Sequence, residues 1–328
     1  MDRRSLLLLT AAGLTAGCAR PTGSTGQTGP VDVQLAEPVQ RTSPMVAAEH
    51  YFADQVTALT GGRYRVTVMP GGVLGDDNRV TEMVRTGQLA FCKTLVTNLT
   101  AYDKRLGVTG LPYAFDSREQ CIQSLDGELG KRCAAILDEH GLVVLAYFYG
   151  GDRNIYNRVR PIHTPADLKG LRIRVPQNIV SIGMINSLGA DAVPMATNDI
   201  LSALQQKLVD GAENSLVFYV TEQHLTYASH FSWTRHQHAV DALMVSRKWL
   251  ADQPAAVRDA VVEAGRLAGE EELRLWAEAT DEKTDLATRQ GGRLDDVDIP
   301  AFRRALASVI RDQRGTFGDL ATLLPDGG

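Results

Sequence analysis

The sequence predicts an α/β protein of two lobes with a long helix reaching across both. Three observations carry that expectation. Strand and helix periodicities alternate from Val31 onward, the alternation starts afresh after Gly150-Gly151, and the stretch from Pro254 to Gln290 is rich in Ala, Glu and Arg without an internal proline. Alternating strands and helices imply βαβ crossovers and a largely parallel sheet.

Val31, Val33 and Leu35 alternate with polar neighbours as a first strand. Ser43-Pro44 reads as an N-cap and first-turn proline, followed by Met45, Ala48, Phe52, Val56 and Leu59 at helical spacing and a stop at Gly61-Gly62. Tyr64, Val66 and Val68 form a second strand that ends at Pro70. Asp76-Asp77 opens a helix with carboxylates at its positive end, and Gly87 closes it. A third strand is expected near Leu89–Leu95. In the second half, Leu142–Tyr149 reads as a strand broken by Gly150-Gly151. Leu171–Val175 and Asp191–Met195 read as strands, Ile179–Leu188 and Asn198–Leu208 as helices. Residues 254–290 make one or two long helices, a brace across the lobes, and Ile299–Phe317 makes a final one.

Composition removes several function classes. The 328 residues carry 34 Lys and Arg against 39 Asp and Glu, a net charge of −5, which lacks the basic footprint of a nucleic-acid binder. Apolar residues make up 44%, ordinary for a globular protein, and no run reaches the roughly 18 apolar residues of a membrane span. No GxSxG, GxxxxGK[ST], GxGxxG or HExxH occurs. His224, His230, His236 and His238 cluster, but without an acidic or thiol ligand at a recognised spacing, so hydrogen-bonded histidines are the better reading than a metal.

Residues 1–17 have the layout of an export signal, with Arg3-Arg4 ahead of an apolar stretch from Leu6 to Leu14. The paired arginines resemble a twin-arginine signal, and Leu14-Thr15-Ala16-Gly17-Cys18 resembles a lipoprotein cleavage site with Cys18 as the lipidated residue. Residues 18–30 then read as a flexible tether. Of the other cysteines, Cys121 and Cys133 cannot bridge along one straight helix, where twelve residues rise about 18 Å. A break at Asp126-Gly127 could bring them together; buried free thiols are the default for Cys92, Cys121 and Cys133.

Residues 151–175 hold six cations (Arg153, Arg158, Arg160, Lys169, Arg172 and Arg174) against Asp152 and Asp167, a local charge of +4 in an acidic chain. Arg172 and Arg174 alternate with apolar residues on one strand. Burying them demands an anionic partner, and an edge strand with solvated arginines is the alternative. Arg174 also lies at the strand's C-terminal end, where open α/β sheets take ligands. The helix after Pro176 would offer amides to an anion. Forty residues on, Val209-Asp210-Gly211-Ala212-Glu213-Asn214 places a glycine suited to a left-handed turn before an asparagine that can donate and accept, although by itself the segment reads better as a helix cap.

These segments together resemble the receptor proteins of TRAP transporters, the DctP-type periplasmic solute-binding family. The matching text is Gly151-Asp152-Arg153, Asp167 through Pro176, Leu188-Gly189-Ala190, Val193-Pro194-Met195, Ala203-Leu204-Gln205 and Asp210 through Asn214. Thr60-Gly61-Gly62-Arg63, Leu74-Gly75-Asp76-Asp77 and Leu111-Pro112-Tyr113 follow the family pattern earlier in the chain. The resemblance implies a two-lobed periplasmic-binding-protein architecture (type II-like) that closes over its ligand. Lobe I would be 31–150 plus about 240–275, and lobe II 151–239 plus about 276–328. It implies a ligand carboxylate on Arg174, with Arg153 and Asn214 beside it. Glu37, Asp76 and Tyr113 could line the other lobe, the alternatives for them being capping, surface charge and core packing. Thr197 stands where sialic-acid receptors carry phenylalanine, and Ser215 replaces the usual proline, so C4-dicarboxylates, keto acids and other small organic acids are the expected class. No cofactor is implied. The partners would be the membrane subunits of a TRAP transporter, and the location the periplasm, with a lipid anchor at Cys18. A carboxylate-acting enzyme on the same fold and a sensor subunit for a membrane kinase are the alternatives.

Overall fold

A computed structural model describes residues 29–325. The expected export signal, Cys18 and most of the expected tether lie outside these residues. One nine-stranded mixed sheet runs through the molecule. Its strands are β1 (Val31–Ala36), β2 (Tyr64–Met69), β3 (Phe91–Leu95), β4 (Leu142–Asn157), β5 (Arg172–Val175), β6 (Asp191–Pro194), β7 (Gly211–Asn214), β8 (His230–Ser246) and β9 (Arg293–Asp295). They lie in the order β2-β1-β3-β8-β4-β7-β5-β6, with β9 on β8.

The helices are α1 (Pro44–Leu59), α2 (Asp77–Thr86), α3 (Arg118–Asp126), α4 (Glu128–Glu139), α5 (Ile179–Ser187), α6 (Ile200–Gln205), α7 (Leu216–Thr221), α8 (Arg247–Ala251), α9 (Ala255–Arg289) and α10 (Ile299–Thr316). Several termini follow from the sequence signals directly. Ser43 caps α1 through Met45 N, Asp76 caps α2 through Arg79 N, and Gly87 ends α2 in the left-handed region. Among the described residues no helix is long and apolar enough to cross a membrane.

The sheet departs from the expected largely parallel arrangement at its centre. The outer strands are parallel, β2-β1-β3 at one end and β7-β5-β6 at the other. Joining them, β4 and β8 run antiparallel to each other for most of their lengths. The first half of β4 and the last half of β8 belong with β3; their other halves meet β7 and β9. Two lobes therefore share two strands. Gly150-Gly151 does not break the chain into two strands, as the sequence suggested. It makes an irregularity inside β4, where register shifts between Tyr149 and Asp152, because Gly151 takes φ +83 and pairing resumes at Asp152 opposite His238. β8 escaped the sequence reading for a related reason. It is buried on both faces for most of its length, so no alternation marks it.

α9 spans 35 residues, about 52 Å, and sixteen-residue β4 about the same in extended form, so one helix matches the shared strands. Val257, Val261 and Ala268 of α9 join the core of the first lobe around Phe52, Phe91 and Leu243. Ala287, near its other end, joins Tyr156, Tyr219 and Phe231 in the second. Ile155, Ile173, Met184 and Phe302 fill a separate core on the second lobe. α10 packs on α5, but Phe317, Leu320 and Leu324 beyond it return to the first core. Cys121 and Cys133 sit on separate helices split at Gly127, and with Cys92 they are buried free thiols.

Candidate functional site

A narrow slot of about 30 Å³, well below the roughly 300–1,000 Å³ of open ligand pockets, lies between the two halves of the sheet. Arg174, Arg153, Asn214 and Thr197 line one wall; Asp77, Lys93 and Asp241 line the other. A larger notch near Trp233 and Trp276 has no comparable convergence of charges.

Arg174 is the penultimate residue of β5, which lies between β7 and β6 and is not an edge strand. Its side chain is 1% exposed. The guanidinium donates through Nε at 2.9 Å and Nη2 at 2.6 Å to the Met195 carbonyl, and through Nη2 at 3.4 Å to Thr197 Oγ1. All of these acceptors are neutral, and among the described residues no carboxylate lies within ion-pair distance of Arg174. Burial lowers its pKa to about 10, which still leaves a cation at neutral pH. A buried guanidinium without an ion-pair partner among the described residues is able to meet an anion.

Arg153 differs. It projects from β4 onto Glu213 of β7 in a bidentate pair, Nε to Oε2 at 2.6 Å and Nη2 to Oε1 at 2.8 Å. Burial pushes Glu213 up, but Arg153 and then a hydrogen bond from His236 outweigh it and hold the carboxyl down at about 2. Arg153 Nη1 also donates to Asn214 Oδ1 at 3.2 Å, and that oxygen accepts from Ser215 N at 2.9 Å. The Asn214 amide donor is thereby the part free to face the slot. Gly211, which starts β7, is not a left-handed turn; Lys207 supplies the positive φ after α6. A Cβ on Gly211 would stand 2.1 Å from the Tyr156 carbonyl, so the glycine permits β7 to lie against β4.

The remaining basic residues of 151–175 are spent elsewhere. Arg158 and Arg172 both pair with Asp210, at 2.6 and 3.0 Å, toward the start of β5. Arg160 donates to the carbonyls of Asp167 and Lys169. The expected amides after Pro176 are partly taken too, since Asn178 Oδ1 accepts from Ser181 N.

On the facing wall, Lys93 Nζ lies 3.1 Å from Asp241 Oδ1 and 3.3 Å from Glu37 Oε1. Burial opposes its charge, but these carboxylates outweigh it and raise the pKa. Glu37 stands behind the slot, bonded also to Val39 N, and next to it Glu49 has both oxygens without a donor. Burial, followed by the charge of Glu37, pushes Glu49 well above the ordinary carboxylate range. Asp77 accepts from Asn98 Nδ2 at 3.2 Å, and burial raises it to about 7.

The structure therefore brings Arg153, Arg174, Asn214 and Thr197 to one slot, with Glu37 behind its far wall. Asp76 does not reach it: its carboxylate caps α2, and its neighbour Asp77 takes the inward position. Tyr113 is also elsewhere, its hydroxyl donating to Thr234 O at 3.0 Å beneath the Arg303 guanidinium. Lys93 and Asp241 went unread in the sequence, and Asp77 was read only as a carboxylate at the start of a helix. A lone charge inside each apolar strand, Phe91-Cys92-Lys93-Thr94-Leu95 and Val240-Asp241-Ala242-Leu243, was the available signal. Of the clustered histidines, His224 bonds Tyr156, His236 lies between Thr234 and Glu213, and His238 meets Tyr149 and the Phe115 carbonyl. Among the described residues no group of three ligand-type side chains could hold a metal.

Known proteins place this geometry in context. Residues 35–315 match the model of bacterial extracellular solute-binding protein, family 7 (DctP). A solute-binding protein from Chromohalobacter salexigens is 32% identical over 262 residues, covering 80% of this chain and 78% of that protein. A TRAP periplasmic solute-binding protein from a Sulfitobacter species, solved with bound β-D-galacturonate, aligns with TM-score 0.87 at 29% identity, covering 90% of this chain and 99% of the other. One from Chromohalobacter salexigens, solved with D-glucuronate, gives TM-score 0.85 at 29% identity, covering 89% and 97%.

Proposed function

The chain belongs to family 7 of the bacterial extracellular solute-binding proteins, and from that premise we propose that it is the receptor of a TRAP-type transporter that captures a small organic acid anion. The observation that carries the reading is Arg174, a buried guanidinium held in place by neutral oxygens and lacking a carboxylate partner. A ligand carboxylate supplies the missing charge in a bidentate contact, with the Asn214 amide beside it and Arg153 held rigid by Glu213. Sugar acids are the favoured ligand class, ahead of the C4-dicarboxylates and keto acids that the sequence leaves open, because the two solved relatives hold uronates. Binding is proposed without turnover, the ligand passing on to the membrane subunits.

The lobes are proposed as 31–150 with about 240–275, and 151–239 with about 276–316, the segment from Phe317 packing back on the first. Calorimetry with galacturonate tests the site. Arg174→Ala should weaken binding by at least about 2 kcal/mol, the scale for removing one member of a buried charge pair; unchanged affinity would overturn the assignment. Lipidation of Cys18 is proposed from the Leu14–Cys18 pattern. Cys18→Ala should move the protein from the membrane fraction to the soluble one, and retention on membranes would refute the anchor.

A further inference from the structure

We propose that Asp77, Lys93 and Asp241 form a hydroxyl-reading wall that makes the receptor selective for a polyhydroxylated monocarboxylate over a dicarboxylate. This rests on the reading of Arg174 as the carboxylate site and adds what the opposite wall does.

The two walls differ in charge. On the Arg174 side, Glu213 neutralises Arg153, so one positive charge is left for a ligand. On the other side Lys93 faces two carboxylates, Glu37 and Asp241, and Asp77 adds a third acidic group. The slot is thus matched to a ligand with one anionic end. A second carboxylate would be pressed against Asp241, and like-charge juxtaposition of this kind suppresses the wrong partner.

The unused hydrogen-bonding capacity says what the other end should be. Lys93 spends one of its three protons in a hydrogen bond to Asp241 and lies in an ion pair with Glu37. Asp241 uses Oδ1 and Asp77 uses Oδ2, so Asp241 Oδ2 and Asp77 Oδ1 are acceptors with no partner among the described residues. Asn214 contributes its amide donor from across the slot. Two acceptors and two donors in one enclosed space fit groups that both donate and accept. Hydroxyls do so; an ionised carboxylate only accepts.

The test is calorimetry with galacturonate and succinate on the wild type, Asp77→Asn, Asp241→Asn and Arg174→Ala. The wild type should bind galacturonate at least about 100-fold more tightly than succinate, some 2.8 kcal/mol of discrimination. Each Asp→Asn change keeps the side chain's shape while removing an ionisable carboxyl, and should narrow that ratio at least about 10-fold. Asp77→Asn disturbs only the Asn98 contact and guards against a folding failure in Asp241→Asn, which loses a charged partner of Lys93. Equal wild-type affinity for the two acids, no galacturonate binding, or a ratio unmoved in both variants overturns the proposal. Unlike those results, unchanged binding in Arg174→Ala overturns the underlying reading of the carboxylate site.

Discussion

At the scale of single residues, burial and partnership decide which charges are available. Arg172 and Arg174 alternate on one strand, yet Arg172 is half-exposed and paired with Asp210 while Arg174 is sealed and unpaired. Glu272 of α9 is a second sealed group: its Oε2 accepts from Tyr149 N at 3.0 Å, its Oε1 has no donor, and burial raises its pKa to about 8. The folded state therefore keeps a proton on Glu272 that the unfolded chain releases near its ordinary value of 4.5. Stability from this group is complete below that value and is lost as pH rises toward 8. Glu213 has the opposite sign, its contribution being lost as pH falls from 4.5 toward about 2. Glu272→Gln keeps the acceptor for Tyr149 N and cannot ionise. Urea unfolding should show it gaining on the wild type between pH 5 and pH 8 by on the order of 1–3 kcal/mol, and parallel profiles would contradict the burial argument.

At the scale of elements, the crossing from one lobe to the other is carried by glycines within β4. A Cβ on Gly150 would approach Ala239 Cβ to 2.8 Å, and one on Gly151 would meet Ser215 Cβ and Trp276 Nε1 at 3.0 Å. Gly151 combines that contact with a left-handed backbone, where a side chain costs about 1–2 kcal/mol. Gly151→Ala should thus lower stability by about 1–3 kcal/mol in denaturant titrations; a neutral result would mean that the strand relaxes freely there. α9 fixes the opposite side of this crossing, with Gly265 and Gly269 admitting Leu145 and Ala146 and with Trp276 packed on Phe218. The strand's register shifts here while the helix beside it runs through unbroken.

Across the whole molecule, the lobes meet along the rim of the slot. Asn178 Nδ2 reaches Thr97 Oγ1 at 3.2 Å and Asn98 Oδ1 at 3.3 Å, Asn78 meets Gln177 at 2.9 Å, and Gln40 N donates to Glu222 at 3.0 Å. With these contacts made, Arg174 is inaccessible, so capture requires the rim to part and re-form. Solution X-ray scattering should therefore show a smaller radius of gyration for the wild type on adding galacturonate, and no change for Arg174→Ala. An identical wild-type profile with and without ligand would remove closure from the mechanism.

The sequence by itself determined the local elements, because caps, glycines and periodicity act over a few residues: Ser43 and Asp76 start helices as written, and Gly87 ends one. It also placed Arg153, Arg174 and Asn214 on one wall, through short segments whose order follows a known family. The tertiary structure alone decided the facing wall and the pairing of charges. Lys93 meets Asp241 across 148 residues because β3 lies beside β8, and Asp77 faces inward where Asp76 is used as a cap. An unpaired charge is defined by what does not approach it, and only the folded chain sets that distance.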